Sequence, residues 1–479
     1  MTEALTIAEI RKWLGNPVVK MFLGTATKES GEDRKLIIES ALESVIFGTK
    51  CGLTCKFYAW LIDFIIKKSA ESLGTDPKLI LEGLKEPVFR RGIVNVLEGI
   101  AKFGVQTPQT TAAPFLVVWQ LTNACNLRCK HCYASADNKA KADELTTEEA
   151  KKLIDELAYC GVVAIAFSGG EPLIRKDFFE IAEYAKKKDF YLSVATNGIL
   201  ITARIAKKLK SCVDYVEVSL DGLKETHEKF RGIPGIFDKT IRGIKNCVKV
   251  GLDVCIAPTV TKYNLREIPE ILELAKKLKV KRFIAFNFIP TGRGKDIADQ
   301  DISPEEREGL LKFFYSKLLD NDYPDVFSTA PQYSRIAMMA ARADSNSPIL
   351  PTHFAGKEAR KALTGKTQAL ADFIGGCGCG RIYCCIQPNG DVWPCVFMPL
   401  NVGNIRKKPF KEIWLNQPVL NLLRDRSRLK GHCRICEFRN MCGGCRARAF
   451  AYFRNIHAPD PGCIFNKKYW DEIQRDMRI

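Results

Sequence analysis

The stretch Pro114-Phe-Leu-Val-Val-Trp-Gln-Leu-Thr-Asn-Ala-Cys125-Asn-Leu-Arg-Cys129-Lys-His-Cys132 decides how this chain is read. Residues 115–121 are apolar and rich in β-branched and aromatic side chains, so they read as a strand. Three cysteines follow on one loop. Thiolates so placed can hold three corners of an iron–sulfur cubane and leave the fourth iron to an outside ligand. An open coordination position at the C-terminal end of a strand is what activation of a substrate at a metal requires. The competing reading is a zinc knuckle lacking its fourth ligand, for which His131 is poorly placed between two of the cysteines.

Beyond this loop the pattern alternates. Strands are expected at 162–167, 191–195, 215–220, 254–260 and 283–289, with helical segments between them. Thr146-x-x-Glu149 is a capping box that opens a helix ending near Cys160. Strands separated by helices imply a parallel sheet. Six such units predict an α/β fold, a partial (β/α)6 TIM-like barrel whose active groups gather beyond the C-terminal strand ends. Gly169-Gly170-Glu171-Pro172 ends the second strand. Its glycines let a ligand approach the backbone, and Glu171 offers a carboxylate to an ammonium group. Ala195-Thr-Asn197-Gly ends the third strand and Val218-Ser219-Leu-Asp221-Gly the fourth. Each alone is ordinary turn chemistry. Together with the cysteine loop they fall at one sheet edge, where a single ligand can touch them all.

Four regions follow: a helical N-terminal domain (1–111), a core (112–295), an irregular linker or substrate region (296–376) and a small cysteine-rich domain (377–479). In the first, Ile37, Ile38, Ala41, Leu42, Val45 and Ile46 share a helical face, and 57–66 and 88–103 are further helices. The apolar helix 57–66, interrupted by Asp63, reads as a core helix before it reads as a membrane contact. No segment approaches the roughly 20 apolar residues needed to span a bilayer. The third region holds one convincing helix, from Ser303-Pro304. The fourth reads as a domain folded around metal.

The 479 residues include 19 cysteines and five histidines. With no basic-then-apolar leader at the start, this argues for reduced thiolates in the cytoplasm rather than a disulfide framework. The soft donor set favours iron–sulfur clusters or zinc. The formal charge is +18, and twelve Lys and Arg against three acids lie between Arg406 and Arg448. These cations read as compensation for anionic clusters. No nucleic-acid-binding signature is present, so no nucleic-acid partner is expected.

Residues 115 to about 293 resemble the radical S-adenosylmethionine (SAM) superfamily, on the cysteine loop and Gly169–Pro172 together. The resemblance implies a [4Fe–4S] cluster on Cys125, Cys129 and Cys132, with the methionyl amine and carboxylate of SAM on the fourth iron. It implies that Gly169, Gly170 and Glu171 receive the amine, that Asn197 stands at the same edge, that Ser219 and Asp221 lie near the ribose, and that Arg231 pairs with the SAM carboxylate. It further implies reductive cleavage of SAM to a 5′-deoxyadenosyl radical that abstracts hydrogen from substrate, with an electron donor such as ferredoxin or flavodoxin.

Cys377, Cys379, Cys384, Cys385, Cys395, Cys433, Cys436, Cys442, Cys445 and Cys463 crowd the C-terminus. Alone, their Cys-x2-Cys pairs suit zinc as well as iron–sulfur. Residues 377–463 are similar to the SPASM extension, which carries auxiliary [4Fe–4S] clusters. That match implies an outer cluster on Cys433, Cys436, Cys442 and Cys463. It implies an inner one on Cys377, Cys395 and Cys445 with Cys385 as fourth ligand, Cys379 and Cys384 being its rivals. Two residues, rather than the three of some members, separate Cys442 from Cys445. Cys160, Cys212, Cys247 and Cys255 read as buried apolar residues, and Cys51 and Cys55 as structural. The expected activity is that of a maturase acting on a peptide or protein side chain. The alternatives are tetrapyrrole side-chain modification, as in alternative haem biosynthesis, lipid C–H activation, and a non-enzymatic iron–sulfur electron carrier. The intact Gly169–Pro172 motif argues against the carrier.

Overall fold

A computed structural model describes residues 17–30, 35–73, 76–349 and 368–476. The core follows the alternating pattern: β1 (Leu116–Gln120), α6 (Thr147–Tyr159), β2 (Ala164–Ser168), α7 (Phe178–Lys187), β3 (Tyr191–Thr196), α8 (Ala203–Cys212) and β4 (Tyr215–Val218). It continues through α9 (Lys224–Arg231), α10 (Ile236–Lys249), β5 (Asp253–Ile256), α11 (Ile268–Lys277) and β6 (Arg282–Asn287). Helix α6 starts where its capping box places it. Thr146 Oγ1 accepts from Glu149 N, and the Glu149 carboxylate accepts from Thr146 N at 2.9 Å.

The six expected βα units are present, and two further parallel strands extend the sheet. The described parts of the segment 296–376, residues 296–349 and 368–376, are more regular than their sequence suggests. They contribute α12 (Pro304–Leu319), β7 (Asp325–Ser328), which pairs with β6, and α13 (Gln332–Ala343). On the other side β8 (Tyr383–Ile386) lies parallel to β1 and carries an antiparallel extension, β9 (Asp391–Trp393) and β10 (Gly403–Asn404). The order is β7-β6-β5-β4-β3-β2-β1-β8-β9-β10. Four residues of β7 gave too little periodicity to read. The Cys384-Cys385 pair masked β8 as metal-loop sequence.

Side chains alternate sharply across this sheet. On the helix side stand Val117, Trp119, Ile165, Phe167, Leu192 and Val194, all fully buried. On the concave side stand Ala166, Ser168, Ser193, Ala195, Ser219 and Ala257. A closed barrel fills its interior with bulky branched residues. Here small ones leave a lumen of about 300 Å³.

The N-terminal helices α1 (Pro17–Ala26), α2 (Ile37–Phe47), α3 (Leu53–Leu73), α4 (Pro77–Lys85) and α5 (Pro87–Phe103) enclose a separate apolar core. They dock on the N-terminal ends of the strands. Asn95 of α5 exchanges hydrogen bonds with Ala113 at 2.8 and 2.9 Å, and Arg91 Nη2 donates to Lys188 O at 2.8 Å. Two findings depart from the sequence reading. Helix α3 is only half a core helix: Tyr58 and Ile66 are buried, while Phe57, Trp60 and Phe64 are 44–63% exposed. Cys51 and Cys55 form a disulfide. No helix among the described residues is long and apolar enough to cross a membrane.

Candidate active site

The loop after β1 carries Cys125, Cys129 and Cys132 into the mouth of the lumen. Backbone bonds hold it from two sides, Cys125 N donating to Asp137 O at 2.6 Å and Glu171 N to Ala124 O at 2.8 Å. The Gly-Gly turn fits against this loop so closely that only glycine is possible. A Cβ on Gly170 would stand 2.6 Å from Ala124 C, and Gly169 has φ +130°. Burial pushes the Cys125 thiol up to about 12 and the Cys129 thiol up to about 11, so both hold their protons until a cation displaces them.

The structure sorts the expected SAM-binding residues into two kinds. Gly169, Gly170, Asn197, Ser219 and Arg231 line the lumen beside the three cysteines. Glu171 and Asp221 are fully buried behind it. The Glu171 carboxylate accepts from Thr196 Oγ1 at 2.7 Å, Asn197 N at 2.9 Å and Leu173 N at 3.2 Å. It joins the turn after β2 to the end of β3. Asp221 acts likewise. It accepts from Thr259 N and from Arg231 Nε, both at 2.7 Å. That pair aims the guanidinium so that Nη1 stands 3.8 Å from Cys129 Sγ.

The C-terminal cysteines fall into two groups. Cys379 lies close to Cys395, Cys377 and Cys445. Cys377, Cys379, Cys395 and Cys445 all line the lumen. Cys385, the fourth ligand chosen from sequence, also lies within electrostatic reach of Cys395. Its sulfur accepts from Gln387 Nε2 at 3.1 Å and Gln120 Nε2 at 3.5 Å. Cys384 points into the apolar core. The alternation of β8 sends its adjacent cysteines to opposite faces, Cys384 beside Val117 on the helix side and Cys385 beside Val118 on the lumen side, whereas Cys379 sits on the tight turn before it. Cys433, Cys442 and Cys463 feel one another electrostatically, and Cys436 feels Cys433. Cys160, Cys212, Cys247 and Cys255 are buried as expected.

The donor chemistry fits clusters. Four arginines of this region, Arg424, Arg426, Arg446 and Arg448, are buried, while Arg406, Arg428 and Arg434 are exposed. Arg426 Nη2 donates to Cys377 O at 3.1 Å. Arg381 lies near Cys377 with Nε and Nη2 unpartnered. Buried cations short of anions suit anionic clusters. Sequence reasoning missed two lumen residues, Tyr133, whose hydroxyl bonds Ser168 Oγ at 2.8 Å, and Glu217. Only the alternation of β4, once its register was known, could have found Glu217.

The model of the radical SAM superfamily matches residues 119–275, and that of an iron–sulfur cluster-binding domain, SPASM, matches 377–437. The AdoMet-dependent heme synthase of Methanosarcina barkeri is 40% identical over 74% of this chain and 97% of its own length. The mycofactocin maturase MftC of Mycolicibacterium smegmatis is 32% identical over 74% and 83%. The fold is shared with Streptococcus suis SuiB bound to its precursor peptide SuiA, with a TM-score of 0.61 at 17% identity over 86% and 89% of the two chains. This chain therefore belongs to the radical SAM superfamily, as a SPASM-bearing enzyme of [4Fe–4S] clusters and S-adenosylmethionine.

Proposed function

We propose that this enzyme abstracts hydrogen from a peptide or protein side chain held in the lumen. One observation carries the proposal. A single cavity runs from the Cys125–Cys132 loop to Cys377, Cys379, Cys395 and Cys445, lined mostly by uncharged side chains. A substrate there meets the radical-generating end first and an auxiliary electron acceptor second, the order an oxidative maturation needs. Cys125, Cys129 and Cys132 would hold the first cluster, which supplies the electron that cleaves SAM to methionine and a 5′-deoxyadenosyl radical. Asn197, Ser219 and Arg231 orient the cofactor, with Glu171 and Asp221 fixing them from behind. Cys377, Cys379, Cys395 and Cys445 would hold the inner auxiliary cluster, and Cys433, Cys436, Cys442 and Cys463 the outer one. Small apolar walls exclude water from the radical. A donor of the ferredoxin or flavodoxin class would supply the electron in the cytoplasm.

A second reading, modification of a tetrapyrrole side chain, is favoured by the 40% identity to a heme synthase. Deuterium separates the two. The reconstituted, reduced enzyme is offered deuterated peptides encoded beside its gene, or deuterated tetrapyrrole. Label entering 5′-deoxyadenosine from peptide alone supports the proposal, and label from tetrapyrrole alone overturns it.

A further inference from the structure

One lumen residue has no part in holding clusters or SAM. Glu217 projects from the middle of β4, with Ala195 of β3 and Cys255 of β5 as its register partners. It lies two residues before Ser219 on the same face, one layer deeper in the barrel than the SAM-binding edge. Among the described residues lining the cavity it is the only acid. The cations of that lining are engaged elsewhere. Arg231 is paired with Asp221, Arg293 donates to Cys129 O at 3.0 Å and Ala136 O at 2.6 Å, and His131 faces Asp221 at 3.5 Å. The side chains facing Glu217 are Tyr215 on its own strand, Tyr133 from the cysteine loop and Cys255, each kept neutral by burial. Arg282 of β6 stacks over Tyr215 and does not act on Glu217, whose pKa answers to burial alone. A carboxyl group with no protein partner, facing this cavity, is available to accept a hydrogen bond from a ligand there.

We infer that Glu217 is the specificity-determining residue of the lumen. It accepts a hydrogen bond from an N–H or O–H donor of the substrate and turns away substrate segments that carry a carboxylate. This rests on the lumen being the radical's substrate site. The chemical class that fits is a hydrocarbon segment ending in an ammonium, amide or hydroxyl group, a description an amine- or amide-bearing peptide side chain meets and a propionate does not. Attraction comes from the charge-assisted hydrogen bond in a medium of low dielectric. Rejection comes from two like charges with no cation between them. Burial pushes Glu217 up to about 7, so the preference for a cation over a neutral donor strengthens as pH rises through neutrality.

The test uses the reconstituted holoenzyme with SAM and three probes of equal length: hexylammonium, hexan-1-ol and hexanoate. Binding is read by saturation-transfer NMR from pH 6 to 8, and 5′-deoxyadenosine formation is followed separately. The wild type is expected to favour hexylammonium over hexanoate by about tenfold or more at pH 8. Glu217→Gln, which keeps the shape, is expected to erase the ammonium preference and its pH dependence while retaining hexan-1-ol. Glu217→Ala guards against a folding artefact in a single variant. Equal binding of hexanoate and hexylammonium by the wild type overturns the inference. So does an ammonium preference that survives in Glu217→Gln. Failure to form any 5′-deoxyadenosine would instead overturn the radical reading beneath it.

Discussion

Replacing Gly170 by alanine tests the closest fit in the site. Its ideal Cβ would stand 2.6 Å from Ala124 C, 3.0 Å from Asn123 O and nearer still to Ala124 O, all backbone atoms. Carbon atoms sit at about 3.5–4.0 Å in contact, so the loop must retreat by about 1 Å. The retreat strains or breaks the 2.8 Å bond from Glu171 N to Ala124 O, and Ala124 is the residue before Cys125. Overpacking of this kind costs about 1–3 kcal/mol. A misplacement of about 1 Å at reacting groups costs on the order of a hundredfold in rate. The rate of 5′-deoxyadenosine formation, SAM affinity and iron content are to be measured beside thermal unfolding. Gly309→Ala is the control, since a Cβ there meets nothing within 4 Å. Gly170→Ala is expected to lose about a hundredfold in turnover while remaining folded. A variant within twofold of wild type in rate and SAM affinity would refute the close fit of turn against loop.

Three further outcomes are expected. Cys379→Ala disrupts the inner auxiliary cluster and changes its paramagnetic resonance spectrum, whereas Cys385→Ala leaves iron near about 12 per chain for three four-iron clusters. Asp221→Asn leaves the Arg231 guanidinium buried and unpaired and costs about 3–5 kcal/mol in denaturant unfolding; the double variant Asp221→Leu with Arg231→Leu loses less than Asp221→Leu alone. Glu149 is held down to about 2 by its hydrogen bond to Arg406, helped by Thr146. Its lowered pKa adds stability that is complete above pH 5 and fades as pH falls towards 2. Side chains a third exposed limit this to about 1 kcal/mol, and Glu149→Gln flattens that part of the pH profile.

Much of the arrangement was legible because it rests on local rules. Strand alternation, the Thr146 cap and the Cys125–Cys132 spacing act within a few residues, so six βα units and the first cysteine trio could be written down from the chain. The short strand Asp325–Ser328 could not, since it depends on pairing with a strand far away in sequence.

By itself, then, the sequence determined which side chains bring metal chemistry and which strand ends carry them, because thiol identity and spacing are covalent facts. Only the tertiary structure decided what those side chains are free to do. It turned Glu171 and Asp221 into struts by closing buried donors around them. It set Cys379 with Cys377, Cys395 and Cys445 and gave Cys385 two glutamine donors, while the strand's pleat turned Cys384 to the helix side. It also left Glu217 alone in a lumen that only packing could hollow out.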